Sequence, residues 1–274
     1  MKKSLLPLFF FAFSALVCGA ECVIPNGARV AFLGDSITQQ GQRREGGYVN
    51  LVTAVLKQNK IGIIPIKAGI SGHKSDQMLA RLDRDVISKK ANFLFLSCGV
   101  NDVWHGKRGI PLPQYKKNIT ALVDKAQKAG IKVCIMTATM IKEDAQTPQN
   151  KMLASYNDFL RKLASEKKCL LADTNAAMQK QLAALKKQFP AAKGNLLTSD
   201  GVHMAPAGDM MMARCLLNTV GVPDAKIDFS KLPCNAEITL KVPMGFYQDL
   251  YNTTLQKGKG VKDVAAFLDL RIKK

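Results

Sequence analysis

Five short apolar runs, at residues 29–33, 61–67, 93–97, 132–137 and 169–172, alternate along the chain with longer segments of helical periodicity. Each run is largely apolar on both faces. Strands buried in a parallel sheet read this way because helices cover both sides of such a sheet. Between them, Val49, Val52, Val55 and Leu56 mark a helix over 48–58, and Met78, Leu79, Leu82 and Val86 mark one over 75–88. A third is predicted over 113–129, opening at a proline and closing before Gly130. Others fall over 150–167, 175–188 and 205–220. Because crossovers between parallel strands are right-handed, this alternation leaves few topologies. The predicted class is α/β: a three-layer α/β/α sandwich around a five-stranded parallel, flavodoxin-like sheet. Ligands bind such sheets beyond the carboxyl ends of the strands, so chemistry is expected in the loops just after them.

The ends of the chain lie outside this pattern. Lys2 and Lys3 precede an apolar stretch from Leu5 to Val17, and the small residues Gly19 and Ala20 precede Glu21. This is the layout of a secretory signal peptide cut after Ala20. Its apolar stretch is about 13 residues, short of the ~20 that span a bilayer. No integral membrane span is therefore expected after its removal, and the chain is expected to be secreted or periplasmic. Three parts follow: residues 1–20 as signal peptide, 21–222 as the α/β domain, and 223–274 as an extension packed on the core. The extension reads as a short strand at 238–242 and helices at 245–255 and 261–270. Of the cysteines after Ala20, Cys98, Cys134 and Cys169 sit in or beside apolar runs and read as small hydrophobes. A bridge between Cys215 and Cys234, or one using Cys22, remains open. No Cys-x-x-Cys pair or His/Cys cluster marks a metal site, and no cofactor is expected.

The first run ends in Gly34-Asp35-Ser36-Ile37-Thr38. A serine just after a buried strand, with a helix starting nearby, can project its hydroxyl from the sheet edge, and the helix start favours developing negative charge. Such a serine needs a base, and the chain holds three histidines, His73, His105 and His203. Each has an aspartate three residues away: Asp76, Asp102 and Asp200 respectively. Spacing alone does not choose among them. A carboxylate in that position would fix the imidazole tautomer and stabilise the imidazolium. An oxyanion hole needs convergent donors. The loop Gly69-Ile70-Ser71-Gly72 after the second run offers backbone N–H groups, and Asn101 after the third offers a side-chain amide.

Gly-Asp-Ser-Ile-Thr at 34–38, Gly72 within Gly-Ile-Ser-Gly, Gly-Val-Asn-Asp at 99–102 and Asp-Gly-Val-His at 200–203 resemble the four ordered blocks of the SGNH (GDSL-type) hydrolases. Gly-Asp-Ser alone is equally a turn with a helix cap; the four blocks in order, spanning about two-thirds of the chain after Ala20, are specific. The resemblance implies Ser36 as nucleophile, Asp200 and His203 as its triad partners, and Gly72 and Asn101 as oxyanion donors with the Ser36 N–H. It is the resemblance that selects His203 over the other histidines and Gly72 over Gly69. Met204 departs from the family, where a proline or leucine commonly follows the histidine. An α/β-hydrolase would instead carry its serine in Gly-x-Ser-x-Gly after several strands.

The expected function is a serine esterase cleaving short-chain, chiefly acetyl, esters on a small molecule or glycan, without metal or cofactor. A lipase or lysophospholipase, which would prefer longer acyl chains, is the alternative enzyme. A glycan-binding protein that has kept the fold without catalysis is the alternative outside enzymes. Trp104 and His105, just past Asn101, are expected at the border of the pocket, with Tyr48 a further rim candidate. The chain carries 40 Lys+Arg against 21 Asp+Glu, a net charge of +19 that falls by two to +17 when residues 1–20 are removed. That excess raises a polyanion as partner. No helix-turn-helix, aromatic RNA-binding strand motif or zinc finger accompanies it, so no nucleic-acid partner is expected. Pairs such as Lys116-Lys117 and Lys186-Lys187 fall on predicted helices and read as solvated faces.

Overall fold

The computed structural model describes residues 22–232. Strands β1 (Arg29–Gly34), β2 (Ile64–Gly69), β3 (Phe93–Ser97), β4 (Lys132–Met136) and β5 (Leu170–Ala172) form one parallel sheet in the order β2-β1-β3-β4-β5. This is the flavodoxin-like order, which reverses between β1 and β3. The connections carry α1 (Ser36–Arg43), α2 (Tyr48–Gln58), α3 (Ser75–Leu82), α4 (Val100–Trp104), α5 (Leu112–Lys128) and α6 (Pro148–Glu166), and α7 (Thr174–Gln188) and α8 (Pro206–Thr219) follow β5. Helix α2 packs on α1 and α8, and α8 on α7; α3 packs on α5, and α5 on α6. Two helical layers thus enclose the sheet, as predicted.

Burial follows position in the sheet. Phe32 of β1 stacks on Phe95 of β3 with ring centroids 5.1 Å apart, and Phe93 lies 4.9 Å from Phe95. Burying a side chain of this size stabilises a fold by roughly 1.5–3 kcal/mol. Strand β2 departs from expectation. It was expected from residue 61 with both faces apolar, yet it begins at the half-exposed Ile64. The cause is its place at the margin, paired to β1 alone. Ile61 and Ile63 pack on the core from the preceding loop instead. The helix expected over 75–88 ends earlier, at Leu82, and passes into a π-helical turn, Asp83–Ile87, where the Ser88 N–H reaches back to the Asp83 carbonyl at 2.8 Å.

Residues 223–232 form two short 3-10 turns held against the end of α2. There Asn59 Nδ2 donates to the Lys226 carbonyl at 3.2 Å and Gln58 Nε2 to that of Lys231 at 3.1 Å. Residues 1–20, Cys234, the expected strand at 238–242 and the expected helices at 245–255 and 261–270 lie outside the described residues. Cys22, Cys98, Cys134, Cys169 and Cys215 are free thiols, so no disulfide through Cys22 joins these five. Lys116, Lys117, Lys186 and Lys187 are exposed on α5 and α7. No helix among the described residues is long and apolar enough to cross a membrane.

Candidate active site

Strand β1 turns into α1 over two residues. A side chain at Gly34 would put its Cβ 2.0 Å from Thr38 Oγ1, so only glycine permits a turn this tight. Asp35 caps α1 by accepting the Ile37 N–H at 2.9 Å, and Ser36 is the first helical residue. Burial pushes the Asp35 carboxyl up to about 6, against the Ile37 hydrogen bond; the Asp102 charge adds to the rise. Gly69, at the end of β2, lies against α1 so closely that a Cβ there would sit 2.4 Å from the Gln39 nitrogen. Its own N–H is taken by Gln42 Oε1 at 3.3 Å, so it shapes the turn and offers no donor.

His203 is the histidine brought to Ser36. Its Nε2 lies 2.9 Å from Ser36 Oγ, and its Nδ1 lies 2.6 Å from Asp200 Oδ2. With Nδ1–H donating to the carboxylate, Nε2 is left to accept the serine proton. Asp200 Oδ1 also accepts the backbone N–H groups of Val202 at 2.9 Å and His203 at 2.8 Å. Burial works to raise this carboxyl, but these bonds outweigh it and hold it below the ordinary carboxylate value. The other two histidines are occupied elsewhere. His73 Nδ1 accepts from Arg81 Nε at 3.1 Å, while Asp76 turns to the Gln77 N–H at 2.8 Å. His105 Nε2 faces Asn101 Oδ1 at 3.3 Å. Asp102 is buried on Ser75, taking its N–H at 3.0 Å and its hydroxyl at 2.6 Å.

Asn101 stands on the first turn of α4, directly after β3, and its Nδ2 donates to the His73 carbonyl at 3.2 Å. The preceding Gly99 has φ +135°, and a Cβ there would meet Ala138 at 3.0 Å and the Tyr115 hydroxyl at 3.2 Å, so this turn also demands glycine. Gly72 sits in the exposed turn after β2 with φ +77°. Among the described residues no partner takes the backbone N–H of Ser36 or Gly72. Ser36 and Asn101 therefore leave from adjacent strands β1 and β3, at the reversal in strand order where such sheets bind ligands.

Trp104 is 42% exposed at the end of α4. Tyr48 is a correction: it is 1% exposed and lies under the site. Its hydroxyl shares a 2.8 Å hydrogen bond with Thr38 Oγ1, and its ring fills the space above Gly41, where a Cβ would come within 2.5 Å of it. A side chain so enclosed offers no surface to a substrate.

Three supporting residues escape sequence reading. Buried Glu143, after β4, accepts the N–H groups of Leu196 (2.7 Å), Leu197 (2.9 Å) and Thr198 (2.6 Å) and the Thr198 hydroxyl (2.6 Å). The neighbouring Lys142 N–H donates to the Gly201 carbonyl at 2.6 Å, so this loop grips the segment that carries Asp200 and His203 from one side. Arg44 grips it from the other, donating to the Met204 carbonyl and to Asp209, each at 2.7 Å. Buried Arg81 joins the ends of β1 and β2, donating to the Gly34 carbonyl at 2.9 Å and the Ala68 carbonyl at 2.8 Å. Among the described residues no cluster of three or more His, Cys, Asp and Glu is arranged to hold a metal ion.

The GDSL-like Lipase/Acylhydrolase family model matches residues 32–210, from β1 into α8. An acetylxylan esterase of Geobacillus stearothermophilus is 31% identical over 217 residues, covering 72% of this chain and 96% of that protein. The crystal structure of Axe2, an acetylxylan esterase from that organism, aligns with a TM-score of 0.64 at 30% identity, over 72% of this chain and 96% of that one. An uncharacterised lipoprotein of Bacillus subtilis, YqeF, is 24% identical over 224 residues, 73% of this chain and 92% of its own length. Fold, motif order and relatives agree: the chain belongs to the GDSL-like lipase/acylhydrolase family and is a carboxylic ester hydrolase.

Proposed function

We propose that this hydrolase is an exported acetyl esterase acting on an acetylated glycan, with Ser36 as nucleophile, His203 as general base and acid, and Asp200 as the carboxylate that orients it. The observation that carries this reading is the unbroken line of hydrogen bonds from Ser36 Oγ through His203 to Asp200. His203 Nε2 takes the Ser36 proton as Oγ attacks the ester carbonyl. The oxyanion is met by the N–H groups of Ser36 and Gly72 and by the Asn101 amide, with the start of α1 adding its partial positive charge. His203 then returns the proton to the leaving alcohol, and a water activated by the same nitrogen frees the acid from the acyl-serine.

The acetylxylan esterase relative supports an acetyl group on carbohydrate as substrate, and exposed Trp104 supports stacking on a sugar. The cationic, apolar and small-residue order of 1–20, with a lipoprotein among the relatives, supports a secreted or envelope location. The hydrolase domain then spans 21–222, with 223–274 as its extension. Ser36→Ala should lower turnover of p-nitrophenyl acetate and of acetylated xylo-oligosaccharides by more than ~10³. Undiminished turnover in a pure sample would overturn the assignment. A series of p-nitrophenyl esters should fall in rate from acetyl upward, and a clear preference for long chains would instead mark a lipase or lysophospholipase.

A further inference from the structure

We propose that His105 is a positioning residue of the oxyanion hole, holding the Asn101 amide in the one orientation that turns an N–H toward the substrate. The inference rests on ester hydrolysis at Ser36 and deepens it. A primary amide has nearly the same shape at its two ends but opposite hydrogen-bonding character. Half a turn about its last torsion would replace a donor by an acceptor, and an acceptor aimed at the oxyanion repels it. A correctly aimed donor there contributes ~10²–10³ in turnover.

Both ends of the Asn101 amide are held. One faces the His73 carbonyl oxygen at 3.2 Å, and since that oxygen has no hydrogen, the end facing it must be Nδ2. Oδ1 then faces His105 Nε2 at 3.3 Å, so this ring nitrogen must carry a hydrogen. One amide hydrogen goes to His73, and the second stays available for the substrate. Each contact is longer than the usual 2.9–3.0 Å of an N–H···O bond, so the orientation depends on the pair of them. His105 is placed for this by α4: it follows Asn101 by four residues and so rises over the same helical face. The His73 side of the clamp is held in turn by Arg81, whose Nε reaches His73 Nδ1 at 3.1 Å while its other nitrogens hold the carboxyl ends of β1 and β2. Half-buried His105 thus serves Asn101.

The test is a double-mutant cycle read in kcat and KM on p-nitrophenyl acetate, with thermal unfolding of every variant. Asn101→Ala should lower kcat by ~10²–10³. His105→Met, similar in size but without a donor, should lower kcat roughly tenfold with KM nearly unchanged, as an interaction made in the transition state requires. It should weaken binding of methylboronic acid, a mimic of the tetrahedral intermediate, by the same factor. In the Asn101→Ala background it should cost nothing more. His105→Gln, which keeps a donor, should recover most of the lost kcat. Unchanged kcat in His105→Met, its full cost in the Asn101→Ala background, or a raised KM at constant kcat would each overturn the proposal. So would a His105→Gln variant that folds normally and is as impaired as His105→Met. Failure of the underlying esterase reading shows separately, as wild-type turnover in Ser36→Ala and Asn101→Ala.

Discussion

The two halves of the site are built by different means. Ser36 and its cap Asp35 follow the interior strand β1 and are buried, 8% and 2% exposed. His203 and Asp200 hang on a loop before α8, their side chains 27% and 53% exposed. The serine half is held by glycines that leave room for close neighbours: the Thr38 side chain at Gly34, the α1 backbone at Gly69, and Ala138 and Tyr115 at Gly99. The histidine half is held by a few polar side chains from distant elements, Glu143 after β4 and Arg44 after α1. Ser36 is therefore presented by the sheet edge, and His203 is brought to it by a loop that side chains hold in place.

If that division is right, chemistry and stability separate cleanly in the histidine half. Asp200→Asn keeps an oxygen for the Val202 and His203 N–H groups but turns an amide N–H toward His203 Nδ1. That favours the tautomer with its hydrogen on Nε2, which cannot accept the Ser36 proton. A fall of ~10²–10⁴ in kcat is expected, with little change in melting temperature because the side chain is half-exposed. A variant that lost its fold along with its activity would break the comparison.

Glu143→Ala should do the reverse, acting on stability first. It leaves the N–H groups of Leu196, Leu197 and Thr198 without their acceptor in a buried place. The cost is on the order of 3–5 kcal/mol, since hydrogen bonds to a charged group contribute more than neutral ones. Chemical denaturation of the variant measures it. Activity should fall as well, because the loop bearing Asp200 and His203 loses one of its two grips. Equal stability to the parent would show that this segment holds itself.

The same division decides how much could be read from the chain. β1, β3 and β4 begin where their apolar runs begin, because full burial writes a continuous apolar signal. Ser36 and Asn101 follow from their places at strand ends. His203 does not: its contact with Ser36 spans 167 residues, and three equally spaced His/Asp pairs left the choice to family resemblance. Glu143 reaches partners 53–55 residues away and leaves no local pattern at all. Tyr48 opens α2 where the helix was predicted to start, but it turns inward over Gly41, a direction that the first residue of a helix does not record in the sequence. Local sequence records burial and turns; it does not record which distant carboxylate holds a loop.

The serine half makes the subtlest prediction. Asp35 is buried and capped by one backbone N–H, and its carboxyl is raised to about 6 from the ordinary 3.8. The folded protein therefore binds this proton more tightly than the unfolded chain, so ionising Asp35 destabilises the fold. The penalty is absent below about pH 4, grows as pH rises, and is complete above about pH 6. It amounts to up to about 3 kcal/mol on the usual conversion of pKa to free energy. Asn caps a helix as well as Asp does, so Asp35→Asn should keep the Ile37 bond and remove the penalty. Its stability gain in denaturation should thus be near zero at pH 4 and greatest from pH 7 upward. A gain that is the same at pH 4 and pH 8, or no gain at either, would mean that water or a neighbouring charge compensates Asp35 where it stands. The serine half would then be less sealed than its burial implies.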